Sequence, residues 1–87
     1  MIPNGIKKEH LLEAIMEIDR TGVPPKRRST GYDLIYRNRK YPPKYVIYLA
    51  GRIAGLPPFG FFGGNETNSF LKDFGFIIIE KQDLPRR

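Results

Sequence analysis

Apolar residues change their spacing several times along this chain, and each change marks an element. Leu11, Leu12, Ile15 and Ile18 fall at i, i+1, i+4 and i+7, the single stripe of an amphipathic helix, which predicts α-helix from Lys7 to Thr21 with Asn4 ahead of it. Gly22 ends that helix. Val23, Pro24 and Pro25 cannot resume it, because proline lacks an amide donor and biases the residue before it away from helical angles. Lys26 to Thr30 is therefore a basic loop. Tyr32, Asp33, Leu34, Ile35 and Tyr36 are aromatic and branched and predict a strand, Arg37-Asn38-Arg39-Lys40 a polar turn, and Tyr41 a brief second strand cut short by Pro42 and Pro43.

A proline at a first helical position suits the run that follows, and Lys44 to Ala54 is too long for a strand here, so a second helix is predicted with Gly55 as its stop. Residues 55–64 (GLPPFGFFGG) carry no periodicity and form a loop that is ordered only if its rings pack. Asn65 and Glu66 open a third helix whose acidic first turn suits the helix dipole; Phe70, Leu71 and Phe74 give it an apolar face, and Gly75 closes it. Phe76 to Ile79 is a continuous apolar run, which predicts a strand central in the sheet. The order α-β-β-α-α-β defines a small α+β domain, a sheet of about three strands with helices packed on it. Residues 1–87 are expected to form this one domain, with 82–87 a tail or the start of a linker.

Composition narrows the function. With no cysteine, a disulfide framework and a cysteine zinc site are both excluded, which fits a reducing compartment. His10, the one histidine, stands beside Glu9 on a helix and reads as an exposed helical residue without metal-binding companions. The first ten residues lack a signal peptide's apolar core and no apolar run approaches the roughly 20 residues that span a bilayer, so a soluble, cytoplasmic protein without a membrane partner is expected.

Charge changes the picture more. Lys26, Arg27, Arg28, Arg37, Arg39, Lys40, Lys44 and Arg52 face only Asp33 in the segment 26–52, giving it +7, while the remaining seven basic and eight acidic residues sum to −1. All five tyrosines, Tyr32, Tyr36, Tyr41, Tyr45 and Tyr48, lie in the same segment, and cations interleaved with flat rings are what a nucleic-acid contact needs. A plain solubility role would scatter such charges. Here the acids are displaced and Arg37, Asn38, Arg39 and Lys40 crowd one hairpin tip, where like charges repel unless an anion relieves them.

Catalytic groups are scarce by comparison. There is no cysteine nucleophile, no histidine near a serine and no Walker-type phosphate loop; Glu9, Glu13 and Glu17 share one helical face, the usual solvated side of an amphipathic helix. No cofactor, no metal site and no catalysis are expected within these residues. Two further elements bear on binding. In Tyr41-Pro42-Pro43-Lys44 a rigid apolar ledge precedes a lysine on a helical first turn, which suits a clamp on a nucleotide and equally a stiff strand-to-helix junction. Phe59, Phe61 and Phe62 with Gly63, Gly64 and Asn65 either plug the open end of a small core or set backbone amides at a helix start against a phosphate, with a ring to stack on a base.

The pattern Tyr32 to Tyr36, Tyr41-Pro42-Pro43-Lys44-Tyr45-Val46-Ile47, Phe62-Gly63-Gly64-Asn65-Glu66-Thr67-Asn68, Phe70-Leu71 and Gly75-Phe76 resembles the small N-terminal head domain of modification-dependent restriction proteins, the McrA-like HNH endonucleases and McrB-like GTPase systems. The match runs over nearly the whole chain. It departs at Tyr45, where the family pattern carries a small residue, and the same departure separates the chain from sulfur-binding domains that read phosphorothioate DNA, to which the Tyr-Pro pair bears a more distant resemblance. The resemblance implies a non-catalytic domain that binds duplex DNA, with a modified base such as methylcytosine among the features it could read, and with nuclease or GTPase activity in another domain or subunit. Lys26, Arg27, Arg28, Arg37, Arg39 and Lys40 would hold phosphates; Tyr41, Tyr45 and the Phe59 to Asn65 loop, with Phe62, Gly63, Gly64 and Asn65, would supply specificity, and Asn38, Lys44 and Arg52 are further nucleic-acid-binding candidates. Two rival readings remain at this point: a protein-interaction domain that assembles a restriction or nuclease complex through its charge, and an RNA-binding module, although the Lys/Arg-Gly-aromatic strand signature of the commonest RNA-binding sheet is missing.

Overall fold

The computed structural model describes residues 2–28, 31–61 and 64–81. Three helices, α1 (Lys8–Thr21), α2 (Pro43–Ile53) and α3 (Asn65–Asp73), pack on a three-stranded antiparallel sheet of β1 (Tyr32–Tyr36), β2 (Arg39–Tyr41) and β3 (Ile77–Glu80). A single turn of 3₁₀ helix (Pro25–Arg27) lies in the basic loop. The α+β class and the α-β-β-α-α-β order are those the apolar spacing predicts.

Each boundary has a local cause. The α1 start is fixed by the Lys7 amide, which donates to Nδ1 of His10 at 2.9 Å, so the lone histidine holds a helix end in place. At its other end the Gly22 amide, in a residue with φ of 83°, donates to the Ile18 carbonyl. Pro43 occupies the first position of α2, where a missing amide donor costs nothing.

α2 is the pivot of the fold, packing against α1, α3 and β1. Leu11, Ala14, Ile15 and Ile18 of α1 meet Val46, Ile47 and Ala50 of α2, and Leu34, Tyr41, Leu71 and Phe76 complete the core. The α1 stripe is thereby shifted: Leu12 is only partly buried and Ala14 takes a core position. Gly51 is needed for close approach. A Cβ there would stand 2.6 Å from Cε1 and 3.0 Å from Cζ of Phe59, so the Phe59 ring packs directly against the α2 backbone and ties the Pro-Phe-Gly loop to the helix.

Two expectations are corrected. β3 is an edge strand, not the central one: β1 stands between β2 and β3, pairing Leu34 with Tyr41 on one side and with Ile78 on the other. The continuous apolar run suggested two buried faces, but the helices cover one, leaving Ile77 61% and Ile79 41% exposed. The second correction concerns the hairpin, whose turn is two residues rather than four. Tyr36 pairs directly with Arg39, and Arg39 and Lys40 belong to β2. Arg37 and Asn38 both have positive φ, 52° and 67°, the pattern of a type I′ turn that matches the twist of the strands.

That turn holds an arginine where Asn-Gly is the usual solution. A left-handed conformation costs an ordinary residue about 1–2 kcal/mol, against about 0.5–1 kcal/mol regained from the Arg37 guanidinium lying 5.3 Å over the Tyr36 ring. Replacing Arg37-Asn38 by Asn-Gly is expected to stabilise the domain by about 1 kcal/mol and raise Tm by roughly 4–8 °C. Thermal melts followed by circular dichroism check it; an unchanged or lower Tm means the turn is not strained.

Candidate nucleic-acid interface

Two exposed features flank the start of α2. Lys44, Tyr48 and Arg52 recur every four residues and share one stripe of the helix, with Lys44 and Arg52 about 12 Å apart along its axis. Tyr45 stacks on Tyr48 with ring centroids 5.9 Å apart and planes 14° from parallel. The Arg27 guanidinium covers the Tyr48 ring at 4.1 Å and approaches that of Tyr45 at 5.8 Å, and Arg52 lies 5.9 Å from Tyr48. Lys44 Nζ stands 5.4 Å over the Phe61 ring, which packs against Phe59 at 5.4 Å. Among the described residues the cations of this stripe are paired with rings rather than with carboxylates, so their charge is not neutralised.

The second feature is a notch of about 140 Å³ at the Pro42-Pro43 corner, lined by Arg27, Arg28, Gly31, Tyr32, Pro42, Pro43, Lys44, Gly64, Thr67 and Asn68. Three distant stretches meet here: the basic loop, the Tyr-Pro-Pro-Lys junction and the start of α3. Gly64 caps α3 with φ of 67°, a conformation suited to glycine. Asn65, the first residue of α3, is exposed and opens onto a neighbouring concavity shared with Tyr32 and Asn68. Phe62 and Gly63 lie outside the described residues.

The hairpin tip is elsewhere. Tyr32 lines the notch, whereas Tyr36, Arg37 and Asn38 border a separate hollow with Lys8 and Phe76 at the other end of β1, about 13 Å away at strand rise. Arg39 reaches Asp19 at 3.3 Å, an exposed ion pair of the kind worth little, and Lys40 is exposed beside it; Lys26 is exposed in the basic loop. The predicted phosphate grip thus falls into two groups rather than one surface.

Tyr41 sits apart from both groups. It is 3% exposed, and its hydroxyl donates to Oδ1 of Asp19 at 2.7 Å, so this ring belongs to the core and fastens β2 to α1. Burial pushes the Tyr41 phenol above its usual range, with the hydrogen bond to Asp19 and that residue's negative charge adding to the effect. Conversely, Thr67 and Asn68 lie in the notch; the sequence placed them in the Gly-Gly-Asn-Glu-Thr-Asn block of the resemblance but gave them no site role. The signal was their spacing: they stand four and three residues before Leu71 on the buried stripe of α3, polar residues where apolar ones would pack. No group of three or more histidine, cysteine, aspartate or glutamate side chains arranged to hold a metal occurs among the described residues, and no described helix is long and apolar enough to cross a membrane.

Fold and site together define a small basic α+β module built around a cation-and-tyrosine helix face. Its fold is that of a restriction-related protein: the chain is similar to part of the type IV phosphorothioation-dependent restriction endonuclease ScoMcrA, with a TM-score of 0.70 and 25% sequence identity over 93% of this chain. The match covers 14% of that endonuclease, so the chain corresponds to a small part of its length. No protein-family model and no curated protein matches the sequence.

Proposed function

We propose that this domain is a non-catalytic DNA-binding module of a modification-dependent restriction system, holding duplex DNA and presenting it to nuclease or GTPase activity carried by another domain or subunit. The observation that carries the reading is the α2 stripe, where Arg52 and the loop residue Arg27 stand over Tyr48 and Lys44 over Phe61, with no acidic partner among the described residues. Guanidinium and ammonium groups along one face suit contacts to backbone phosphates, while the rings give flat surface for sugars and bases. The likeness to a restriction endonuclease that depends on a DNA modification supports the same direction.

Anisotropy titrations of labelled duplexes test it, one unmodified, one carrying methylcytosine and one carrying phosphorothioate, at 50 and 200 mM salt. Binding at low salt that weakens by orders of magnitude at high salt is expected, with the modified duplex preferred. No binding to any duplex at low salt sinks the proposal. One observation favours a second reading, assembly with a protein partner: β3 presents Ile77 and Ile79 to solvent on an open sheet edge, a surface suited to an added strand.

A further inference from the structure

The two edges of the sheet are not alike. β2 ends it on one side with Arg39 and Lys40, both exposed, so a copy of the same strand brought alongside would meet like charge. β3 ends it on the other with Ile77, Ile78, Ile79 and Glu80, and Lys81 just beyond, a run whose charges sum to zero. This second edge carries none of the usual guards against pairing. It has no proline and no bulge in its register with β1, and both of its outer-face residues are isoleucine.

The ladder fixes which backbone groups of β3 are left for a neighbour. The Lys81 amide donates to the Gly31 carbonyl at 2.8 Å, and antiparallel alternation then turns the polar backbone groups of Ile79 and Ile77 toward β1 and those of Ile78 and Glu80 away from it. An antiparallel copy can use the outward groups only where Ile78 and Glu80 of one chain meet Ile78 and Glu80 of the other. A slip of one residue sets outward groups against inward ones and forms no ladder. Placing Ile78 opposite Ile78 leaves Glu80 facing the Phe76 amide, which already donates to the Leu71 carbonyl at 3.2 Å. Placing Glu80 opposite Glu80 brings like charges together.

We propose that two copies of this chain join edge to edge through β3 about a two-fold axis at Ile79, with Ile78 of each copy opposite Glu80 of the other. The contact is self-complementary, as a two-fold interface must be. Ile79 meets its own counterpart across the axis, and Ile77 lies against the aliphatic stem of the other copy's Lys81. Each copy uses its one uncharged edge, so assembly stops at two. So short a strand buries less than the roughly 1,200 Å² of a standard interface, which makes the association weak, with a Kd on the order of 0.1–1 mM. Pairing of this kind needs no DNA and stands apart from the DNA-binding reading above.

Sedimentation of the 87-residue chain at about 0.3 M salt, which screens the repulsion between two copies of net charge +6, tests the assembly. Between about 0.01 and 1 mM protein the mass is expected to rise from 10.1 kDa toward twice that value and no further. A monomer throughout, or growth beyond two copies, overturns the proposal. Single cysteines then read the register, since the chain has none of its own. Two residues at position 79 would have Cα atoms about 4.5 Å apart, within disulfide reach, whereas two at position 77 would be roughly 14 Å apart. Under air, Ile79→Cys is expected to form the linked dimer roughly tenfold faster than Ile77→Cys, although Ile77 is the more exposed, 61% against 41%. Equal rates, or a faster Ile77→Cys, also overturn the proposal. The sedimentation arm uses the wild-type chain, so a misfolded variant leaves it decisive.

Discussion

Alanine at Arg27, Lys44 and Arg52 together is expected to weaken duplex binding roughly 500-fold at 0.1 M salt and to flatten its salt dependence. Each phosphate contact on B-DNA contributes about 0.9 to the slope of log K against log salt, so three contacts contribute about 2.7, and at 0.1 M this is about 2.7 decades of affinity relative to 1 M. All three side chains are exposed, so the change should leave the fold intact, each giving up a ring contact worth at most about 0.5–1 kcal/mol. The measurement is a pair of salt titrations, wild type and variant, with thermal melts to show that both are folded. Parallel salt slopes would mean the α2 stripe does not touch the backbone, whatever happens to affinity.

Leu34→Ala is expected to lower Tm by about 12–24 °C. Leu34 is 0% exposed in the central strand, paired with Tyr41 of β2 and Ile78 of β3, so its loss leaves a hole beneath the whole sheet. Deleting a buried leucine side chain costs about 3 kcal/mol within a range of about 2–5, and each kcal/mol moves Tm by about 4–8 °C in a domain this small. A protein of this length has roughly 4–13 kcal/mol of stability in total, so the variant stands near the edge of folding. Ile77→Ala is the matched comparison: the same class of truncation at 61% exposure should change Tm little. Similar losses at both positions would show that Ile77 is covered in solution, for instance by a second copy of the domain.

The elements were legible in the sequence because punctuation surrounds them. Gly22 with Pro24-Pro25, Pro42-Pro43, Gly55 and Gly75 each stop or start a helix by backbone chemistry that does not depend on the rest of the fold. Sheet position was not legible, since the run from Phe76 to Ile79 is apolar whether one face is covered or two. The two-residue turn was hidden for a related reason: Arg37 is a poor left-handed residue, and only pairing across the hairpin forces it there. At the candidate site, charge and tyrosine clustering pointed to the stretch from Lys26 to Arg52 but could not divide it into the groups the fold separates. Tyr41 was read as a contact because it adjoins Pro42, while strand alternation turns it inward to Asp19. The notch depends on Gly31, the Pro42-Pro43 corner and Asn68 meeting across long sequence separations, which no local pattern encodes.

If the domain binds duplex DNA as proposed, the length of β1 sets how far apart its two cation groups meet it. The two ends of β1, at the notch and at the hairpin tip, are about 13 Å apart at strand rise, so a duplex lying along this strand would pass from one cation group to the other over about four base steps. A small DNA-binding domain of that kind would have few contacts to give and would release its target quickly on its own. Joined to a second module that grips the same duplex, it would instead act at millimolar effective concentration and sharpen the choice of site through avidity, which makes linker length a variable to tune in any fusion built from it.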